Sequence, residues 1–324
     1  MIEPLGLLQG TDAADAVRLG LALPLPGGLA FTMARLGGRV VPAAELAEQV
    51  PVAAPWAGLP ARPLVMGIVN VTPDSFSDGG ERFAVADAVA SGLAMVAEGA
   101  DILDVGGEST RPGAEPVEVA EEMRRVLPVI AGLAGCGAPV SVDTRNAATM
   151  AAALAAGAAI VNDVSGLGHD PESAGVVAQA GCPVVLMHMR GTPGTMAGLA
   201  QYGDLATEVA AELGASLTRA HATGVRRENV ALDPGVGFAK QAGQNPELLR
   251  RLPVLLGFGC RVLVGVSRKR FLDEGGAPVA PKARLPGSLA AGLYALSRGA
   301  SILRVHDVAE TVQAVRVWRA MVGG

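Results

Sequence analysis

The chain has 324 residues, half of them apolar and only 18% charged, with a formal net charge of −5. A chain this long and this apolar buries a large core, which excludes global disorder, and its acidic balance excludes a nucleic-acid footprint. Aromatic residues make up only 3% beside 43 glycines, so the core is aliphatic, as suits buried parallel strands covered by helices. No stretch reaches the ~18 strongly apolar residues of a membrane span; the nearest, 147–161, is Ala-rich and broken by Gly157, and reads as a buried helix leading into a strand. The opening Met-Ile-Glu-Pro lacks a basic region, so no signal peptide is expected. Cys136, Cys182 and Cys260 are odd in number and far apart. That pattern carries neither zinc spacing nor a disulfide framework, and points to a reducing, cytoplasmic setting.

Residues 1–62 follow no regular rhythm. The run 29–36 reads as a strand, and prolines 51, 55, 60 and 63 mark a linker. We read 1–62 as an extension without chemistry of its own, and 63–324 as the main domain. From residue 63 onward, short apolar runs alternate with helical patterns. The runs are 64–69, 101–105, 139–142, 159–161, 183–187, 230–232, 261–266 and 301–303, and helices are expected over 85–98, 117–133 and 205–223. Eight strand–helix units over about 260 residues fit an α/β fold of the closed (β/α)8 TIM-barrel type, with a doubly wound open sheet as the alternative.

Every run stops at a polar side chain: Asn70, Asp104, Asp143, Asn162-Asp163, His188, Asp233, Ser267-Arg268-Lys269 and Arg304-Val305-His306. In a parallel barrel these ends share one rim, where ligands bind. A single such residue is ordinarily a cap or turn former, but eight of eight describe a polar pocket over an aliphatic floor. Asp163 reads as a cap; for Asp143, in Ser-Val-Asp-Thr-Arg, capping and ligand reading both stay open. Carboxylates and an amide converging there match the N–H donors of a flat heterocycle such as an aminopyrimidinone. The loops after the first two strands, 70–80 and 106–113, are long, polar and Gly-rich, in the manner of lids. Thr110 and Arg111 offer a hydroxyl and a cation to an anion. The loops after strands seven and eight gather Ser267, Arg268, Lys269, Arg304 and His306, which suits a diphosphate. Only three of the 26 basic residues are lysines, Lys240, Lys269 and Lys282. His169 and His221 read as surface residues. No P-loop, His-Glu-x-x-His, nucleophile elbow or dinucleotide fingerprint is correctly placed.

These residues resemble the dihydropteroate synthase family from about residue 63 to the C-terminus. The resemblance rests on 66–80 (MGIVNVTPDSFSDGG), 104–113 (DVGGESTRPG), 141–144 (SVDT), 162–166 (NDVSG), 186–189 (LMHM), 233–238 (DPGVGF), 265–269 (GVSRK) and 304–307 (RVHD), in that order. It implies condensation of 6-hydroxymethyl-7,8-dihydropterin diphosphate with 4-aminobenzoate, a Mg2+ ion on the diphosphate, small-molecule substrates, a homodimer and inhibition by sulfonamides. By the same resemblance Asp143, Asn162, Asp233 and Lys269 hold the pterin, with Met187 beside its ring. Asn70 binds the metal, and Arg304 and His306 grip the diphosphate. Thr110, Arg111, Pro112, Phe238, Lys240 and Ser267 shape the aminobenzoate side. Asp143, Lys269 and Arg304 are the expected catalytic residues. Two rivals share the pterin-reading residues: a barrel that moves a methyl group from methyltetrahydrofolate to a corrinoid protein, and a non-catalytic pterin-binding paralogue. The first needs neither the Thr110-Arg111 loop nor the Arg304/His306 pair, and the second would tolerate loss of Asn70, Asp143 or Lys269. Val312, Val315 and Trp318 form an apolar stripe on the last helix, read as packing against the barrel in preference to a dimer face.

Overall fold

A computed structural model describes residues 2–47, 56–71, 80–111, 113–273 and 276–323, with backbone alone over 80–84. The N-terminal region forms a small antiparallel sheet from β1 (Ile2–Gln9), β2 (Leu23–Leu25), β3 (Leu29–Leu36) and β4 (Arg39–Pro42), with α1 (Gly10–Arg18) following β1. β3 is central: β1 lies on one side, while β2 and β4 share the other. The sheet meets the barrel closely at two glycines. A Cβ on Gly257 would stand 1.9 Å from the Ile2 carbonyl oxygen, and one on Gly10, itself at φ +56, would stand 1.8 Å from that of Val322. Only glycine fits so tight a backbone approach.

Each later strand is followed by a helix: β5 (Leu64–Asn70) and α2 (Gly80–Ala97), β6 (Ile102–Gly106) and α3 (Val119–Leu133), β7 (Val140–Asp143) and α4 (Ala147–Ala155), β8 (Ile160–Asp163) and α5 (Ser173–Ala180), β9 (Val184–Met187) and α6 (Leu205–Ala222), β10 (Val230–Asp233) and α7 (Gln244–Arg250), β11 (Arg261–Val264) and α8 (Leu285–Ser297), β12 (Ile302–Val305) and α9 (Val308–Val322). Strands β5 to β12 pair in parallel in sequence order, and β12 returns to β5, closing the barrel. The expected (β/α)8 architecture is therefore the observed one. Six of the eight strands run one or two residues further at their C-terminal ends than the apolar runs, because residues such as Asn70, Asp143, Asp163, Asp233 and Arg304 are themselves strand residues; β9 ends with its run at Met187, and β11 stops at Val264, two residues short of the expected end.

Residues two apart on a strand share a face. Leu64 and Met66, Ile102, Ile160, Val185, Ala231, Leu263 and Ile302 point inward and form one dry cluster. Trp56 completes that cluster, is 1% exposed, and donates its indole N–H to the Asn229 carbonyl at 2.9 Å. It seals the barrel at the N-terminal ends of the strands. The helices cover the outer face: Val315 is buried, and Val312 and Trp318 pack on the main core, so the stripe on α9 faces the barrel. His221 is half-buried rather than at the surface, because its Nδ1 hydrogen-bonds the Val225 carbonyl oxygen at 2.7 Å just beyond the end of α6.

Candidate active site

Two residues beyond the dry cluster, the same inward faces turn polar: Asp104 follows Ile102, Asn162 follows Ile160, Asp233 follows Ala231 and Arg304 follows Ile302. Asp143 joins them in register beside Asn162. Arg304 binds this layer together, donating from Nε to Asp104 Oδ2 at 2.6 Å and from Nη2 to Asp143 Oδ2 at 2.7 Å. Asn162 Nδ2 adds a third link to Asp104 Oδ2 at 3.0 Å. Glycines leave the space: a Cβ on Gly106 would touch Asp143 at 3.4 Å, and one on Gly265 would lie 3.8 Å from the Arg304 Cβ.

Burial decides the protonation of these groups. It pushes the Asp143 carboxyl up to about 7, against the pull of Arg304 and with Asp104 nearby adding to the rise. Asp233 is raised by burial too, although Lys269 opposes the shift. Its Oδ1 accepts the Gly235 N–H at 2.7 Å, which fixes the carboxylate plane. Burial brings the Lys269 amine down to about 8, against the attraction of Asp233. Lys269 Nζ donates to the Val236 carbonyl at 2.5 Å and stands 4.8 Å from the centre of the Phe238 ring. Met187 ends β9, opposite Asp233 in register.

The next loops tie together. The Ser267 hydroxyl oxygen accepts the His306 backbone N–H at 3.1 Å and lies 3.1 Å from His306 Nδ1. Arg268 Nε donates to Asp307 Oδ2 at 3.0 Å. Burial, with Arg268, Arg304 and Arg111 nearby, holds His306 down at about 4, so the ring is neutral at pH 7. Arg268 sits at φ +59 and Ala239 at φ +47, left-handed backbone that non-glycine residues adopt at a cost of roughly 1–3 kcal/mol and that clusters at functional loops.

The family of pterin binding enzymes matches residues 66–306. A dihydropteroate synthase of Synechocystis sp. is 46% identical over 80% of this chain and 90% of its own length. The chain belongs to the dihydropteroate synthase family. Its fold superimposes on that of a dihydropteroate synthase from Xanthomonas albilineans with 4-aminobenzoic acid, at TM-score 0.76 and 46% identity over 88% of this chain and 96% of that one. A structure of the Xanthomonas albilineans synthase in complex with 7,8-dihydropteroate gives TM-score 0.73 and 47% identity over 80% and 94%.

Within this family frame, Asp143, Asn162, Asp233, Lys269 and Arg304 share one charged layer, with Met187 at its edge. Ser267 and His306 form a pair above it. Arg304 reaches two carboxylates of the floor, a first task that differs from gripping diphosphate alone. Asn70 is exposed at the end of β5, beside Gly106. Thr110 is half-buried and Arg111 exposed; their loop is anchored by Glu108, which binds Arg145 at 2.9 and 3.1 Å. Pro112 and residues 72–79 of the first loop lie outside the described residues. Asp163 organises a turn instead of capping a helix, its carboxylate accepting the Ser165 and Leu167 backbone N–H groups.

Sequence reasoning missed a chain behind Lys240. Lys240 Nζ lies 2.9 Å from the Phe238 carbonyl oxygen and 3.0 Å from His188 Nδ1. His188 Nε2 lies 2.9 Å from Glu212 Oε2, and Glu212 pairs with Arg190. Burial brings Lys240 down to about 7 and His188 to about 4. A neutral His188 that donates from Nε2 to Glu212 presents the Nδ1 lone pair to the Lys240 amine. Asp104 was visible only as a strand end; counting back two residues to Ile102 places it inside.

Proposed function

We propose that the protein is a dihydropteroate synthase: it joins 6-hydroxymethyl-7,8-dihydropterin diphosphate to 4-aminobenzoate, releasing 7,8-dihydropteroate and diphosphate. The observation that carries this reading is the layer of buried Asp104, Asn162 and Asp233 with half-buried Asp143 and Arg304 on the C-terminal ends of the barrel strands, joined by half-buried Lys269 from the loop after β11. Carboxylates accept from the donor edge of the pterin, and Lys269 and Asn162 donate to its acceptors. This set gives the flat ring one orientation, with its methylene toward the Ser267/His306 side.

The reaction on this reading is dissociative. The bond between the methylene carbon and the diphosphate oxygen breaks, and its electron pair leaves with the diphosphate. The cation left on the methylene delocalises into the dihydropterin ring. The neutral aniline nitrogen attacks it and gives its proton to solvent. Asp143, poised near neutrality by burial, ionises fully beside a cation and stabilises it. Arg304 holds that carboxylate in place. Ser267, by donating its hydroxyl hydrogen to His306 Nδ1, leaves the ring proton on Nε2, a donor for the departing anion. Thr110, Arg111, Pro112, Phe238 and Lys240 frame 4-aminobenzoate, Lys240 and Arg111 facing its carboxylate.

Asn70 offers a hard amide oxygen, and no group of three His, Cys, Asp or Glu forms a metal cage among the described residues. That donor set fits Mg2+, which keeps several waters and is shared between few protein oxygens and substrate phosphates. Asn70 would hold the ion, which when bound supplies charge neutralisation for the diphosphate. The reading extends to a cytoplasmic homodimer, divided at residues 62 and 63 into extension and barrel, in which sulfonamides compete with 4-aminobenzoate. The free cysteines and the lack of any helix long and apolar enough to cross a membrane among the described residues are consistent with that setting.

The test is diphosphate release by the purified protein with Mg2+ and both substrates, each omitted in turn. Release that needs both substrates supports the synthase. Tight pterin binding without release would leave the methyltransferase or binding-only reading.

A further inference from the structure

The opposite end of the barrel holds a second cavity, of about 880 Å3, between the N-terminal sheet and α9. Arg62, just before β5, and Arg261, the first residue of β11, line it, so it opens at the N-terminal ends of the strands, away from the pterin layer. Its size falls within the roughly 300–1,000 Å3 of small-molecule sites. The walls are largely apolar, with Val17, Leu25, Leu59 and Trp318 among the lining residues. Among the described residues, every charged one that lines it is an arginine: Arg62, Arg261 and Arg319.

Among the described residues only Arg62 is hydrogen-bonded to an acid, Asp101, through two bonds of 3.0 and 2.6 Å. Arg261 is 4% exposed and hydrogen-bonds no carboxylate among the described residues, although Asp101 attracts it. Its Nη2 donates to the Pro60 carbonyl at 2.6 Å, while Nη1 is buried without an acceptor. Arg319, on α9, has no acid partner among the described residues either. A buried guanidinium with an idle N–H is costly unless an acceptor completes it. Nothing in the pterin chemistry uses this end of the molecule.

We propose that this cavity is a second ligand site, for an organic anion with an apolar body and a carboxylate, sulfonate or phosphate head. The head lies against Arg319, with the positive charge of buried Arg261 behind it, and the body packs between Leu59 and Trp318. The site joins the N-terminal sheet to the barrel, so its occupant stabilises the docking of one on the other by mass action.

The full chain is titrated with 8-anilinonaphthalene-1-sulfonate, read by fluorescence, and with uncharged N-phenyl-1-naphthylamine. The expected result is one sulfonate per chain. Affinity falls ~10-fold in Arg319→Ala, the loss of one charged contact, and binding is abolished in Ala14→Trp, which fills the cavity from exposed α1. Lys269→Met, at the barrel mouth, leaves sulfonate binding unchanged, and the uncharged probe does not distinguish Arg319→Ala from the parent. Ala14 is exposed and Arg319 half-buried on their helices, so these substitutions report on the site even if Arg261→Gln fails to fold. No binding by the parent, binding in Arg319→Ala and Ala14→Trp equal to the parent, or loss confined to Lys269→Met would overturn the proposal.

Discussion

The two ends of this barrel are built on the same eight strands and could hardly differ more. At the N-terminal end the inward residues are Leu64, Ile102, Ile160, Val185, Ala231, Leu263 and Ile302, sealed by Trp56. Two residues further along stand Asp104, Asn162, Asp233 and Arg304, of which Asn162 and Arg304 are tied to Asp104 by hydrogen bonds of 3.0 and 2.6 Å. The lower layer does what a core does: it removes apolar surface from water and fixes the strands. The upper layer works against stability, since each buried charge there carries a desolvation penalty that its partners offset only in part. The difference teaches that stability and chemistry are separated by one strand pleat, with the dry layer holding the charged one in position.

That separation can be broken from either side. Arg304→Met has the largest expected effect. It leaves Asp104 and Asp143 buried without their cation, destabilising the fold by ~3–5 kcal/mol and lowering kcat by ~100–1,000-fold, measured by urea unfolding and diphosphate release. In Arg304→Met the Asp143 carboxyl rises further, because its cation is gone. Trp56→Ala, at the other end, costs a similar ~3–5 kcal/mol but changes kcat less than about threefold under conditions where the variant is folded. A large loss of kcat there would show that the two layers are not separable.

Glu212→Gln tests how the mouth is supported from outside. It weakens the hold on His188 and so on Lys240, and on the proposed role of Lys240 the KM for 4-aminobenzoate rises ~10-fold with kcat little changed, the effect of one charged hydrogen bond. An equal fall in kcat and kcat/KM would place this chain in the chemical step instead. The smallest effect is a pH slope. The Lys269 amine titrates near 8 in the fold against an ordinary value of 10.5. The unfolded chain therefore binds more protons between these values, and stability contributed by this group rises with pH across about 8 to 10.5, by up to ~1.4 kcal/mol per unit. Lys269→Met removes that slope, seen as the difference between parent and variant in urea midpoints at pH 8 and pH 10.

Much of this was legible in the chain itself. Eight apolar runs ending in polar residues located the barrel and its mouth, and Asp143, Asn162, Asp233, Lys269 and Arg304 meet in one layer. What the pattern hid were contacts between segments distant in sequence. Trp56 sits in a Pro-rich stretch that reads as a linker, and nothing local says that its ring closes the barrel floor. His188 and Glu212 lie 24 residues apart, and only the packing of α6 beside β9 brings them to 2.9 Å. The ties of Arg304 to the floor were hidden because its two carboxylate partners, Asp104 and Asp143, lie 200 and 161 residues earlier. The N-terminal region showed one strand in the sequence where there are four, since β1 alternates only loosely and β2 is three residues long.

The most direct test of the charged layer as a pterin reader is a calorimetric titration of the parent, Asp233→Asn and Trp56→Ala with 6-hydroxymethyl-7,8-dihydropterin diphosphate. The account predicts one site per chain in the parent and in folded Trp56→Ala, and loss of at least ~30-fold in affinity for Asp233→Asn, where a carboxylate acceptor becomes an amide facing ring N–H donors. Undiminished binding in Asp233→Asn would contradict it.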